Sequence, residues 1–191
     1  MNLRETTRAI QRLVEADDDG LWGPQTARLV LAKLSPAVNA DEFDNRTESN
    51  LAGLLPSAVD VFRPFIRRAR AVAAADGVNA VVICGFRDAK TQEAAKLRGA
   101  SRAGWGYSWH NYGSAIDFGL FRGGSYLDSD DPATAAKVYR EIGTLAADYG
   151  IEWGGTWTGF RDAPHFQIDV GRSSPNASDR RKLDAGTWDE V

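Results

Sequence analysis

Two short segments, SAIDFGL (114–120) and HFQIDV (165–170), alternate apolar and polar side chains with a period of two. In the first, Ile116, Phe118 and Leu120 fall on one face and Ala115, Asp117 and Gly119 on the other. In the second, Phe166, Ile168 and Val170 oppose His165, Gln167 and Asp169. Each reads as a strand with one face in a core and a polar face turned away from it. The alternation explains a carboxylate between Ile116 and Phe118: Asp117 points out of the core, and Ala115 and Gly119 leave space around it.

Other elements arrange themselves around these two. AVVIC (80–84) reads as a buried strand ended by Gly85, after which Asp88 can cap a helix running to about Arg98. Residues 99–113, rich in glycine and aromatics, read as a loop, and EWGGTWTGF as another. Asp131-Pro132 opens a helix carrying Val138, Ile142 and Leu145 to a stop at Gly150. Upstream, Val59, Phe62, Ile66, Ala69 and Ala73 share a helical face, and Pro64 predicts a kink or break in it. Strands and helices do not alternate strictly, so the expected class is α+β, a small antiparallel sheet with flanking helices.

Before this lies a short helical unit. Ile10, Leu13 and Val14 mark one face, Ala27, Val30, Leu31 and Leu34 another, and DDDGLWGP makes the turn between them, with Pro24 placed to open the second helix. Such a pair buries too little surface to stand alone. The expected organisation is a helical unit over 1–36, a polar linker over 37–50, a main domain over 51–171 and a C-terminal tail over 172–191.

With 191 residues the chain can build one sizeable core, and a net charge of −3 argues against a general nucleic-acid binder. The basic run RPFIRRAR (63–70) reads as the solvated side of a helix. A single cysteine, Cys84, excludes an internal disulfide and a cysteine-rich metal site; its apolar surroundings predict a buried, inert thiol. MNLRETTRAIQRLVEA lacks the pattern of a signal peptide, and no segment has the length of a membrane span. The expectation is a monomer made in the cytoplasm, without membrane insertion, that reaches any target beyond the membrane after release or by assisted export.

If the two alternating strands are neighbours, Asp117 and His165 can converge, with His110 arriving from the loop before the first. Two imidazoles and a carboxylate suit zinc and leave a position open for water. Taken singly, each histidine reads as a structural or surface residue; that both fall in glycine- and aromatic-rich, non-helical surroundings with an aspartate close by leaves the metal reading and the structural one both standing. Asp162, held by Pro164 in the extended DAPH segment, could accept a proton from metal-activated water or serve as a turn aspartate bonding its own backbone.

SWHNYGSAIDFG (108–119) resembles the S-x-H-x-x-G-x-A-x-D motif of the VanY-like zinc D-alanyl-D-alanine carboxypeptidases and L-alanyl-D-glutamate endopeptidases, a family that includes many phage endolysins. EWGGTWTGFRDAPHFQ resembles its second signature, a W-G-G loop followed by D/E-x-x-H-F, and CGFRDAKTQ its third, G-x-R-(S/T/D)-x-x-x-Q. FDNRTESNLAGLLP matches a segment common in one branch, so the resemblance covers roughly residues 43–170. It implies a hedgehog/D,D-peptidase-like fold and zinc (Zn2+) held by His110, Asp117 and His165. It further implies Asp162 as general base and later proton donor, and Arg87 as the cation that stabilises the oxyanion. Ser108, Gln92 and Trp153 become substrate contacts, Gln92 alternatively a support of the Arg87 loop; Trp153 and Trp157 line the cleft or simply pack. The N-terminal unit resembles the DG-x-x-G-x-x-T core of peptidoglycan-binding modules but lacks the second half, which leaves wall binding and a packing role both open.

The implied function is a zinc metallopeptidase acting on bacterial peptidoglycan stem peptides, cutting L-Ala–D-Glu. The alternatives are a D-Ala–D-Ala carboxypeptidase and, from another class, a non-catalytic zinc-containing wall-binding protein. A serine mechanism at Ser108 is disfavoured, because no histidine remains to activate it once both bind metal.

Overall fold

In the computed structural model, which describes residues 2–13 and 42–188, the two alternating segments are adjacent antiparallel strands. The sheet comprises β1 (Asn79–Cys84), β2 (Ala115–Arg122), β3 (Ser125–Tyr126), β4 (Ile151–Trp153) and β5 (His165–Ile168). Its order is β1-β2-β5-β4, every pairing antiparallel, with β3 folded back on β2. The helices are α1 (Leu3–Leu13), α2 (Asn45–Leu51), α3 (Pro56–Ala75), α4 (Ala89–Leu97), α5 (Leu127–Asp130), α6 (Pro132–Ala146) and α7 (Ala177–Asp184). The class is α+β. Among the described residues no helix is long and apolar enough to cross a membrane.

The chain divides into Met1–Glu42 and Phe43–Val191. In the first unit α1 begins with a reciprocal cap, Glu5 N–H donating to Asn2 Oδ1 and Asn2 N–H to Glu5 Oε2. Val14, the turn around Gly20 and Gly23, and the second helical face lie outside the described residues.

In the second unit the apolar sheet face meets α3 and α6. Ile116, Phe118, Leu120 and Phe166 are fully buried against Phe62, Phe65, Ile66 and Ile142. The Phe65 ring lies 5.2 Å from Phe166 and 6.0 Å from Phe118. The opposite face carries Asp117, His165 and Gln167. The room expected beside Asp117 is already taken: a Cβ at Gly119 would meet Ile83 at 2.7 Å, and Ala115 is covered by Trp109 and Tyr112.

The elements outside the sheet depart from expectation at several points. Of the kink or break expected at Pro64, the break does not occur: α3 continues through it, held by its buried face of Ala58, Phe62, Phe65, Ile66, Ala69 and Ala73. The lost backbone bond would have gone to Asp60, whose exposed position lets water replace it. Part of the expected linker is the helix α2: Asp44 caps it by accepting from Thr47 N–H, while Thr47 Oγ1 accepts from Val82 N–H in β1. The basic run is only partly solvated, for Arg63 pairs with Glu48 and Arg70 with Asp44, and both guanidiniums flank the Phe43 ring. The C-terminal tail contains α7, opened by an Asn176/Asp179 capping box, and Trp188 beyond it packs on Trp109 and Tyr112.

Candidate metal centre

Cross-strand pairing places two of the chemistry-bearing residues. Asp117 on β2 and His165 on β5 are direct partners in the register, so their side chains leave the same sheet face side by side. His110 arrives on a short 3-10 turn, Trp109–Tyr112, which ends at Gly113 with φ of 66°. A side chain is excluded there twice over: the angle is left-handed, and a Cβ would lie 3.0 Å from Leu55 N.

The three side chains converge. His110 Nε2 and His165 Nδ1 each lie 3.1 Å from Asp117 Oδ1 and 3.2 Å from each other. A tetrahedral zinc with bonds of about 2.0–2.1 Å separates its ligands by about 3.3 Å, so this triangle has the dimensions of a metal face. The outer nitrogens fix which lone pairs point inward. His110 Nδ1–H donates to Gly85 O at 2.6 Å, and His165 Nε2–H donates to Gln167 Oε1 at 2.9 Å. Both inward nitrogens are thereby left unprotonated in the neutral rings, as coordination requires.

The site electrostatics agree with this. Burial would raise the Asp117 carboxyl, but the charge and hydrogen bonds of the two imidazoles hold it well below the usual carboxylate range. Burial keeps His110 below the ordinary imidazole value. For His165 burial acts in the same direction, but the Asp117 hydrogen bond and charge outweigh it and raise this ring. In the absence of a cation, His165 is where the site takes up a proton.

Cys84 offers a rival ligand. Cys84, His110 and Asp117 present one donor atom each within 4.8 Å of one another, a group that could hold a metal ion. The thiol is half-buried rather than in the core, 3.8 Å from His110 Nδ1. That nitrogen is already committed to Gly85, and burial together with the Asp117 charge pushes the Cys84 thiol up to about 12. The inward atoms of His110, Asp117 and His165, by contrast, all face one point.

A cleft of about 660 Å³ opens over this face, lined among others by Arg87, Ser108, Asp117, Trp157, Asp162 and His165. Arg87 Nη2 lies 3.6 Å from Asp117 Oδ2, and its Nε is buried without a partner. Its backbone N–H donates to His110 O, which ties this loop to the turn that carries His110. Asp162 shares the cleft. Burial, reinforced by the negative charge of Asp117, raises its carboxyl above the ordinary aspartate value.

Of the remaining expected contacts, Ser108 lines the cleft but Gln92 and Trp153 do not. Gln92 is fully buried, donating to Ser101 Oγ and Ala103 O and accepting from Asn111 Nδ2, whose second bond goes to Arg87 O. It therefore braces the loops that carry Arg87 and His110 and cannot touch a substrate. Trp153 turns to the core, stacked near Phe166 and donating to Ala163 O, in room left by Gly143 and Gly155. Trp157 does face the cleft, its ring 5.1 Å from that of His165. The sequence reading assigned Gln167 no role, although it stands two residues after His165 on the same strand face; Arg102 and Phe160, stacked 4.1 Å apart at the cleft, carried no periodic signal.

Comparison with known proteins fits this geometry. A family model described as D-alanyl-D-alanine carboxypeptidase matches residues 100–168, which include all three converging side chains and Asp162. The peptidoglycan L-alanyl-D-glutamate endopeptidase CwlK of Bacillus subtilis is 34% identical over 110 residues, 52% of this chain and 66% of that protein. The L-alanyl-D-glutamate peptidase of Listeria phage A118 is 36% identical over 86 residues, 42% of this chain. This chain spans just under two thirds of the Bacillus protein and 27% of the phage protein. The crystal structure of the Serratia marcescens L-Ala D-Glu endopeptidase ChiX superposes on 66% of this chain and 88% of its own, with a TM-score of 0.47 and 29% identity. Over residues 100–168, the segment that carries the site, the chain matches the peptidase M15 family.

Proposed function

We propose that this chain is a zinc-dependent peptidoglycan peptidase that hydrolyses the L-Ala–D-Glu bond of stem peptides, with His110, Asp117 and His165 as the metal ligands. The observation that carries this reading is the triangle of inward-facing donor atoms with Asp162 and Arg87 on the same cleft. The choice of bond is supported by the activities named for the Bacillus and phage relatives.

When bound, zinc supplies Lewis acidity and makes water acidic enough to ionise near neutral pH. Asp162 takes the proton of the attacking water and returns it to the leaving amine; its raised carboxyl suits a group that must hold a proton between the two events. Arg87 stabilises the oxygen that becomes negative, its unpartnered Nε–H being a donor that a substrate can satisfy. Trp157 walls the cleft beside His165 and keeps bulk water from the reacting bond. Access to the wall would follow release at host lysis or assisted export.

Purified peptidoglycan digested with and without a zinc chelator, and read by mass spectrometry, tests this. New amino termini at D-Glu, lost with chelator and restored by zinc, are expected. Loss of a single terminal alanine would instead make the enzyme a D-Ala–D-Ala carboxypeptidase, the activity that describes the matched family. No cleavage by zinc-loaded protein on several wall types would favour a binding protein. Asp162→Asn should leave zinc bound and lower turnover roughly 10²- to 10⁴-fold; near-normal activity would remove Asp162 from the base role.

A further inference from the structure

The two histidines of the metal face are oriented by different kinds of acceptor. His110 donates to a backbone carbonyl, which can only accept. His165 donates to the side-chain amide of Gln167, and an amide can present either its oxygen or its NH2. Were Gln167 turned over, its NH2 would face His165 Nε2, the proton would move to Nδ1, and the nitrogen pointing at Asp117 would lose its lone pair.

We propose that Glu152 is the positioning residue that prevents this, holding Gln167 in the one orientation that keeps His165 a metal ligand; the link to metal rests on the zinc reading above. Glu152 and Gln167 are direct cross-strand partners between β4 and β5. Gln167 Nε2–H donates to Glu152 Oε2 at 2.7 Å, and Trp157 Nε1–H donates to Glu152 Oε1 at 2.6 Å. A carboxylate offers only acceptors, so it admits the NH2 end of Gln167 and repels the carbonyl end. The second Gln167 N–H reaches Arg172 O at 3.4 Å, a further acceptor on the same side. Gln167 lines the cleft floor but is only 1% exposed, so a flipped amide would depend almost entirely on these neighbours. In the chain Trp157–Glu152–Gln167–His165 every donation runs toward Glu152, from Trp157 on one side and from His165 through Gln167 on the other, so Glu152 is the member that sets the orientation of Gln167.

Glu152→Gln breaks that direction without changing shape. The amide then at position 152 has one carbonyl for two donors, Trp157 and Gln167, and its own NH2 can accommodate the flipped Gln167. The double variant E152Q/Q167E reverses the 152–167 bond but restores an obligate acceptor for His165: the carboxylate now at position 167 accepts from His165 on one oxygen and from the position-152 amide on the other. Zinc affinity would be measured by chelator competition, and the His165 tautomer in metal-free, neutral-imidazole protein by long-range proton–nitrogen NMR. Glu152→Gln should weaken zinc about ten- to a hundredfold and populate the Nδ1–H tautomer, and the swap should recover both. A Glu152→Gln protein with wild-type affinity and a pure Nε2–H tautomer would overturn the proposal. So would a folded swap that recovers neither property. Wild-type protein that fails to bind zinc would defeat the functional reading instead, and the tautomer measurement would still decide the role of Glu152.

Discussion

Gly85→Ala tests whether the fold and the metal centre are coupled at the end of β1. A Cβ at Gly85 would lie 2.2 Å from Asn50 O and 3.0 Å from Asn50 C, whereas ordinary contact begins at 3.4 Å. The obstacle is helix backbone, and it is fastened, since Asn50 Nδ2–H donates to Val82 O at 3.0 Å. Relief requires β1 to move from α2 by about 1 Å, a displacement that costs overpacked sites roughly 1–3 kcal/mol of stability. The same movement acts on the Gly85 carbonyl that receives His110 Nδ1–H at 2.6 Å. Stretched to about 3.6 Å, that contact is no longer a hydrogen bond, and His110 loses the acceptor that fixes its tautomer. Zinc affinity should then fall roughly 10- to 100-fold, the usual effect of removing a partner of a ligating histidine. Urea unfolding of the metal-free protein reads the first effect and chelator competition the second. A variant as stable as wild type would refute the steric account; a destabilised variant with unchanged zinc affinity would refute the coupling.

Arg87→Ala should lower kcat on a stem-peptide substrate roughly 10²- to 10³-fold, the cost of an oxyanion donor, and steady-state kinetics showing less than a threefold change would remove Arg87 from that role. Gly143→Ala, which in an unobstructed helix would gain about 1 kcal/mol, should instead destabilise, because its Cβ would lie 2.2 Å from Trp153 Cε3; a raised melting temperature would refute this. Burial opposes ionisation of Asp44, but the bonds from Thr47 and Arg70 outweigh it and hold its carboxyl below the ordinary value. An unfolded aspartate ionises at about 3.9, so this contribution is complete above that pH and disappears as pH falls through the lower folded value. Asp44→Ala should accordingly cost about 1–2 kcal/mol at about pH 7 and much less at about pH 2, measured by urea unfolding; an equal loss at both would leave only an uncharged capping role.

The placement of Asp117 and His165 was legible because they lie on strands whose period of two assigns every side chain to a face. Asp117 and His165 could be placed opposite the core from the sequence alone, and their neighbours Phe118 and Phe166 are indeed fully buried. The same rule applied to Ile151, Glu152 and Trp153 would have sent Trp153 to the core and Glu152 to the site face, which is where they stand. It was not applied because β4 is three residues long and owes its strand conformation to pairing with β5, a long-range cause that the glycines of EWGGTWTGF conceal. Helix α2 was missed for a related reason. NRTESNL contains one apolar residue, and the segment is held by polar contacts across the fold, Thr47 to Val82, Glu48 to Arg63 and Asp44 to Arg70. Hydrophobic periodicity is silent about such contacts.

The construction of the site separates what can be tuned in it from what cannot. Asp117 and His165 are fixed relative to each other by adjacent backbone in one ladder, so their separation changes only if the β2–β5 register changes. A slip of one residue would send both to the core face and replace them with apolar side chains. His110 has no such anchor. It depends on the Gly85 carbonyl, on Gly113 lying close against Leu55, and on the aromatic contact of Trp109 and Tyr112 with Trp188 from the C-terminal segment. Each support can be weakened separately without disturbing the sheet. Substitutions among them should therefore grade metal affinity, whereas substitutions that break the strand pairing should abolish the site and the fold together.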